Sequence, residues 1–110
     1  MRATKSDFYT DQQKEIAQLA KALGHPARIA ILEHLMKIDS CFCGDIVAEL
    51  PLAQPTVSQH LKVLRNAGLI KGTIEGNAIC YCIDEKTAER MVRYFSIFSA
   101  EAKKNKNDCC

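Results

Sequence analysis

The stretch Gln54–Ile70, QPTVSQHLKVLRNAGLI, constrains the fold most, because it carries its own start, face and stop. Pro55 fits the first turn of a helix, where its missing N–H costs nothing. Gly68 fits the left-handed residue that ends one. Val57, Leu61 and Leu64 recur at helical spacing, so one side is apolar and has to be buried. The other side carries Gln54, Thr56, Ser58, Gln59, Lys62 and Arg65. Short polar groups bond to base edges and phosphate oxygens, and cations neutralise phosphates, so this side suits a major groove. A merely solvated helix face is the alternative, and the neighbouring segments decide between the two.

Residues 1 to about 10 show no periodicity and are expected to fray. From Asp11 the apolar residues Ile16, Leu19, Ala20 and Leu23 predict a helix ended by Gly24. That stripe exceeds what a small core needs, so part of it is expected against a second subunit. Pro26 opens a second helix to about Lys37, with Ile31, Leu32, Leu35 and Met36 inward and His25 a capping or packing residue near Arg28. Ile38–Cys43 reads as a connector, and Ile46–Leu50 as a short helix ended by Pro51. Two short helices across a Pro-bounded turn make a helix-turn-helix, with Gln54–Ala67 as its reading member. Leu69–Ile74 and Ala78–Ile83 flank Glu75-Gly76-Asn77, a hairpin pattern. Alternation turns Ile79, Tyr81 and Ile83 to the core and leaves Ala78, Cys80 and Cys82 on the outer face. This hairpin is the wing, where Lys71 and Asn77 can touch phosphates. A last helix runs from Asp84, its cap, to about Ala100. Its residues Met91, Val92, Phe95 and Phe98 offer more apolar area than a terminal helix leaves wet, a dimer seam unless the core takes them all. Residues 101–110 read as a polar tail.

A chain of 110 residues is one domain, too small for a deep catalytic pocket. Its net charge of +2 permits a nucleic-acid partner without demanding one. Between Gln54 and Glu75, however, Lys62, Arg65 and Lys71 face one acid, Glu75. No apolar run is long enough to span a bilayer, and Met1–Asp11 lacks the core of a signal peptide, so the cytoplasm is expected. The six cysteines fall in close pairs, Cys41 with Cys43, Cys80 with Cys82, Cys109 with Cys110. In a reducing compartment such pairs point to metal or redox chemistry rather than structural disulfides. There is no Gly-rich phosphate loop, catalytic carboxylate pair, nucleophile elbow or Cys-x-x-Cys, so an enzyme is not expected.

Three strings in order, Leu23-Gly24-His25-Pro26-Ala27-Arg28, Gln54-Pro55-Thr56-Val57-Ser58-Gln59-His60-Leu61 and Leu64-Arg65-Asn66-Ala67-Gly68-Leu69, resemble the ArsR family of winged-helix metalloregulatory repressors. The resemblance runs from about Ile16 to about Phe98. It implies a mainly α, homodimeric winged helix-turn-helix with a β-hairpin wing, released from an operator by an inducer. In such a protein Gln54, Thr56, Ser58, Gln59 and His60 would meet bases or phosphates, and Lys62, Arg65, Lys71 and Asn77 would hold the backbone. Cys41-Phe42-Cys43-Gly44-Asp45 resembles the family's Cys-x-Cys-Asp thiolate site with a glycine inserted. Two thiols beside a helix start suit a soft ion, although buried cysteines also serve as small hydrophobes. The third cysteine of the arsenite-responding pattern is replaced by Val47, so a third sulfur has to come from elsewhere or water completes the site. Cys109 and Cys110 are candidates, since ten residues after Ala100 reach about 33 Å. Cys80 and Cys82 are expected to add nothing or a weak secondary site. No histidine follows Asp84, which argues against the last-helix zinc site of the family. The inducer implied is arsenite or antimonite, with cadmium or lead as an alternative and no resident cofactor. A redox or persulfide trigger joining Cys41 or Cys43 to Cys109 or Cys110 stays open beside it.

Overall fold

A computed structural model of the chain describes residues 8–38, 42–43, 50–75 and 78–105. Helix α1 (Asp11–Leu23) starts at a capping box in which Thr10 Oγ1 accepts from the Gln13 amide at 3.1 Å and Gln13 Oε1 accepts from the Thr10 amide at 2.9 Å. Thr10 is therefore fixed rather than frayed. Helix α2 (Pro26–Met36) has proline in its first turn and is capped by His25, whose Nδ1 accepts from the Ala27 amide. A two-residue strand β1 (Phe42–Cys43) follows where a plain connector was expected. The short helix expected at 46–50 lies, but for Leu50, outside the described residues.

Helix α3 (Gln54–Asn66) is the reading helix foreseen above. It ends in a Schellman arrangement: the Gly68 amide donates to the Arg65 carbonyl and the Leu69 amide to the Leu64 carbonyl, each at 3.0 Å. Gly68 takes a φ of +85°, a conformation open to glycine and strained for other residues. Strands β2 (Ile70–Glu75) and β3 (Ala78–Ile83) form the antiparallel hairpin, and β1 adds to the far side of β3. The sheet order is β1-β3-β2, with Cys43 opposite Cys80 and Phe42 opposite Tyr81. Helix α4 (Glu85–Asn105) is capped by Asp84, whose Oδ1 accepts from the Thr87 amide at 3.0 Å. It runs five residues beyond the expected end at Ala100. Ala, Glu and Lys are strong helix formers, Lys104 pairs with Glu101 at 3.3 Å, and lysines suit a helix C-terminus, so a polar composition did not mean a loose tail.

The core lies where α1, α2, α3 and β2 converge: Leu19, Ala22, Ile31, Leu32, Leu35, Val57, Leu61, Leu64, Leu69 and Ile70. Met91 is the α4 residue that packs against it, while Val92, Phe95, Ile97 and Phe98 stay exposed. No helix among the described residues is long and apolar enough to cross a membrane.

Candidate nucleic-acid interface and thiol site

Helix α3 divides its residues by the geometry of its own turns. Val57, His60, Leu61 and Leu64 are buried, while Gln54, Thr56, Ser58, Gln59, Lys62 and Arg65 are exposed. Ala53 gives no side-chain cap and the first turn holds no acid, so the amides at the exposed start face outward as donors. Lys71 is exposed at the base of the wing, and Asn77 lies outside the described residues. The result is a convex strip of donors and cations with the shape and chemistry to enter a groove of duplex DNA.

His60 departs from the expectation that it faces outward. It is 8% exposed, and its Nδ1 accepts from Arg28 Nε at 3.2 Å. Arg28 Nη1 also donates to the Lys21 and Ala22 carbonyls at the end of α1, at 3.3 and 3.2 Å. One guanidinium thus ties α1, α2 and α3 together, and the His25 ring lies 4.5 Å from that of His60. Burial first, and then the electrostatic influence of the adjacent His25 and of the Arg28 guanidinium, hold the His60 pKa below its usual value, so the ring stays neutral and accepts. Helical spacing already put position 60 next to Leu61 and Leu64, a signal that its polar side chain outweighed. Arg28 was noticed in the sequence but had no partner there to reveal its work.

The cysteines divide less simply. Cys41, Cys109 and Cys110 lie outside the described residues; Cys43 is placed by its backbone, in register with Cys80. Cys80 is completely enclosed and Cys82 half-buried, and each is disulfide-bonded. The outer-face position expected for Cys80 is therefore wrong. Alternation leaves one wet face only when one side of a sheet is bare, whereas Tyr81 and Ile83 pack against the core and Cys80 is covered as well. Among the described residues there is no cluster of three His, Cys, Asp or Glu able to hold a metal.

Residues 25–71, from the cap of α2 to the first residues of the wing, match the model of the bacterial regulatory protein, arsR family. An uncharacterized HTH-type transcriptional regulator of Methanocaldococcus jannaschii is 37% identical over 80 residues, covering 72% of this chain and 90% of that protein. Among solved structures, the transcriptional repressor BigR from Xylella fastidiosa superposes with a TM-score of 0.60 at 31% identity, covering 87% of this chain and 97% of that one. The cadmium metal-sensor CmtR from Mycobacterium tuberculosis is 37% identical, with a TM-score of 0.54 over 64% of this chain and 72% of that one. With its winged helix-turn-helix and its outward polar strip, the chain belongs to the arsR family of bacterial regulatory proteins and is a DNA-binding transcriptional repressor rather than an enzyme.

Proposed function

We propose that the protein acts in the cytoplasm as a homodimer that holds a two-fold operator with its paired α3 helices and leaves it when a thiophilic inducer binds cysteine thiolates. The observation that carries this reading is the division of α3, with Gln54, Thr56, Ser58, Gln59, Lys62 and Arg65 outward above a buried apolar seam. Those side chains meet bases or phosphates, and Lys71 and Asn77 add backbone contacts from the wing. Half-sites lie about one helical turn apart. Arsenite or antimonite is the inducer, held by Cys41 and Cys43 beside the helix-turn-helix, with Cys109 and Cys110 as further candidates. The coupling of about 1 to 3 kcal/mol usual for such systems lowers operator affinity about 5- to 150-fold.

Two other triggers draw on specific observations. The likeness to a structure titled a cadmium metal-sensor supports a soft divalent cation such as cadmium or lead. The disulfide bonds at Cys80 and Cys82 support a redox signal acting through the same fold. Operator binding followed by fluorescence anisotropy, across arsenite, antimonite, cadmium, lead, zinc and a mild oxidant, separates the three. Arsenite or antimonite is expected to release the DNA at the lowest concentration. If the double variant Cys41→Ser, Cys43→Ser still leaves the DNA with arsenite at wild-type concentration, those cysteines are not the sensor.

A further inference from the structure

His60 sits in the reading helix between exposed Gln59 and buried Leu61. Its apolar companions Val57, Leu61 and Leu64 hold α3 to the core, but hydrophobic burial has no direction and leaves the turn of a helix about its axis loosely set. A directional tie comes from Arg28 Nε, which donates to His60 Nδ1 at 3.2 Å. Accepting there leaves the single hydrogen of the neutral ring on Nε2. The atom that holds Arg28 is therefore also the atom that takes up a proton. Once protonated, Nδ1 has no lone pair to offer, and two cations confront each other where a hydrogen bond stood. Among the described residues, the titratable and charged groups that bear on His60 are His25, the cap of α2, and Arg28. Behind Arg28, α1 presents the Lys21 and Ala22 carbonyls, with Lys21 itself exposed, and no described carboxylate pairs with His60 to offset the repulsion.

We propose that Arg28 and His60 are positioning residues for operator recognition: their bond sets the turn of α3 that aims Ser58, Gln59 and Lys62 at the groove, and a proton on His60 Nδ1 releases it. The proposal rests on the reading of α3 as the helix that contacts DNA. In acid the effect runs against ordinary electrostatics. A positive charge added beside a polyanion tightens binding, so a histidine that merely neighboured phosphates would bind DNA better as pH falls. Here operator affinity drops instead, because the operator-bound form needs His60 neutral and the proton favours the form that has let go. The drop begins below about pH 6.5, the ordinary histidine value, since burial and the adjacent groups hold this ring neutral above it.

Fluorescence anisotropy on the full chain at fixed ionic strength, between pH 7.5 and 5.5, tests this. The probes are a duplex selected by the protein from a random pool at pH 7.5 and a scrambled duplex of the same composition. The wild type is expected to lose at least about threefold in affinity for the selected duplex, while its affinity for the scrambled one holds or rises. His60→Asn, whose Oδ1 replaces Nδ1 as acceptor and does not titrate in this range, is expected to abolish the drop; where it fails to fold by circular dichroism, His60→Gln serves. His25→Asn keeps a side-chain cap for α2 and is expected to keep the drop. A drop that survives in the His60 variants, or vanishes in His25→Asn, overturns the assignment to His60. Calorimetry of wild-type binding to the selected duplex at pH 6, in buffers of different ionisation enthalpy, is expected to show net proton release. Net uptake, or an affinity for the selected duplex that holds or rises in acid, overturns the proposal. Gln59→Ala separates this from the reading beneath it. If that variant binds the selected duplex as the wild type does at pH 7.5, α3 does not read the DNA and both fall; if it binds more weakly while the wild-type pH profile is flat, the positioning role alone falls.

Discussion

At the scale of single residues, Arg28 does the most that the sequence did not disclose. Its donors serve His60 and the carbonyl end of α1, so three helices lean on one planar cation. Arg28→Ala is expected to lower stability by about 2 kcal/mol, read from urea denaturation, since three hydrogen bonds from a charged donor are lost and two part-buried acceptors, on His60 and Ala22, are left bare. Arg28→Lys is expected to rescue little, because an ammonium cannot spread donors along two directions. His60 adds a pH dependence. Its folded-state pKa lies below the ordinary value of about 6.5, so on acidification the unfolded chain takes up this proton first. Stability is therefore expected to fall as pH drops below about 6.5 and to stop falling, for this group, beneath its folded pKa. Urea midpoints at pH 7.5 and 5.5 check it: the wild type should lose more between them than His60→Gln. The helical spacing held enough to place His60 indoors; that a histidine so placed is fed by an arginine thirty-two positions away was not legible, because a long-range hydrogen bond leaves no local pattern.

At the scale of elements, the sequence was most readable where a segment carries its own boundaries. Helix α3 has proline near its start, glycine past its end and an apolar seam between, and it forms between residues 54 and 66 as those signals require. The hairpin and the Asp84 cap follow from equally local chemistry. Strand β1 does not, since two residues show no period and their pairing to β3 is decided wholly by tertiary approach. The same missing neighbour hid the surroundings of Cys80. For α3 itself, the exposed Lys62 is a phosphate contact in the proposed complex. Lys62→Ala should weaken operator and unrelated duplex alike and reduce the salt dependence of binding by about one unit of slope per reading helix. Gln59→Ala should instead cost about 1 to 3 kcal/mol at the operator alone, as loss of a base contact does. Anisotropy titrations across a salt series on both duplexes distinguish the two.

At the scale of the whole molecule, α4 is the element that a single copy leaves unsatisfied. It spans 21 residues, buries only Thr87 fully, and exposes Phe95 and Phe98 at 51% and 66%. An apolar cleft between α1 and α4, lined by Ile16, Leu19, Ala20, Leu23, Met91 and Phe95, continues the same surface. Phe98→Glu is expected to give a folded monomer by analytical ultracentrifugation with operator affinity reduced at least tenfold, because both half-sites can then no longer be held at once. The junction at Gly68 and Leu69 gives this arrangement its leverage. The Asp84 amide donates to the Leu69 carbonyl at 2.9 Å, and Leu69 also closes α3 through Leu64. In the proposed dimer, the root of the helix that would clasp the second copy is thus pinned to the root of the helix that would read DNA. Like two spokes set in one hub, they are expected to turn together in the proposed dimer, so that a signal altering the twist between copies would swing both off the duplex without touching either.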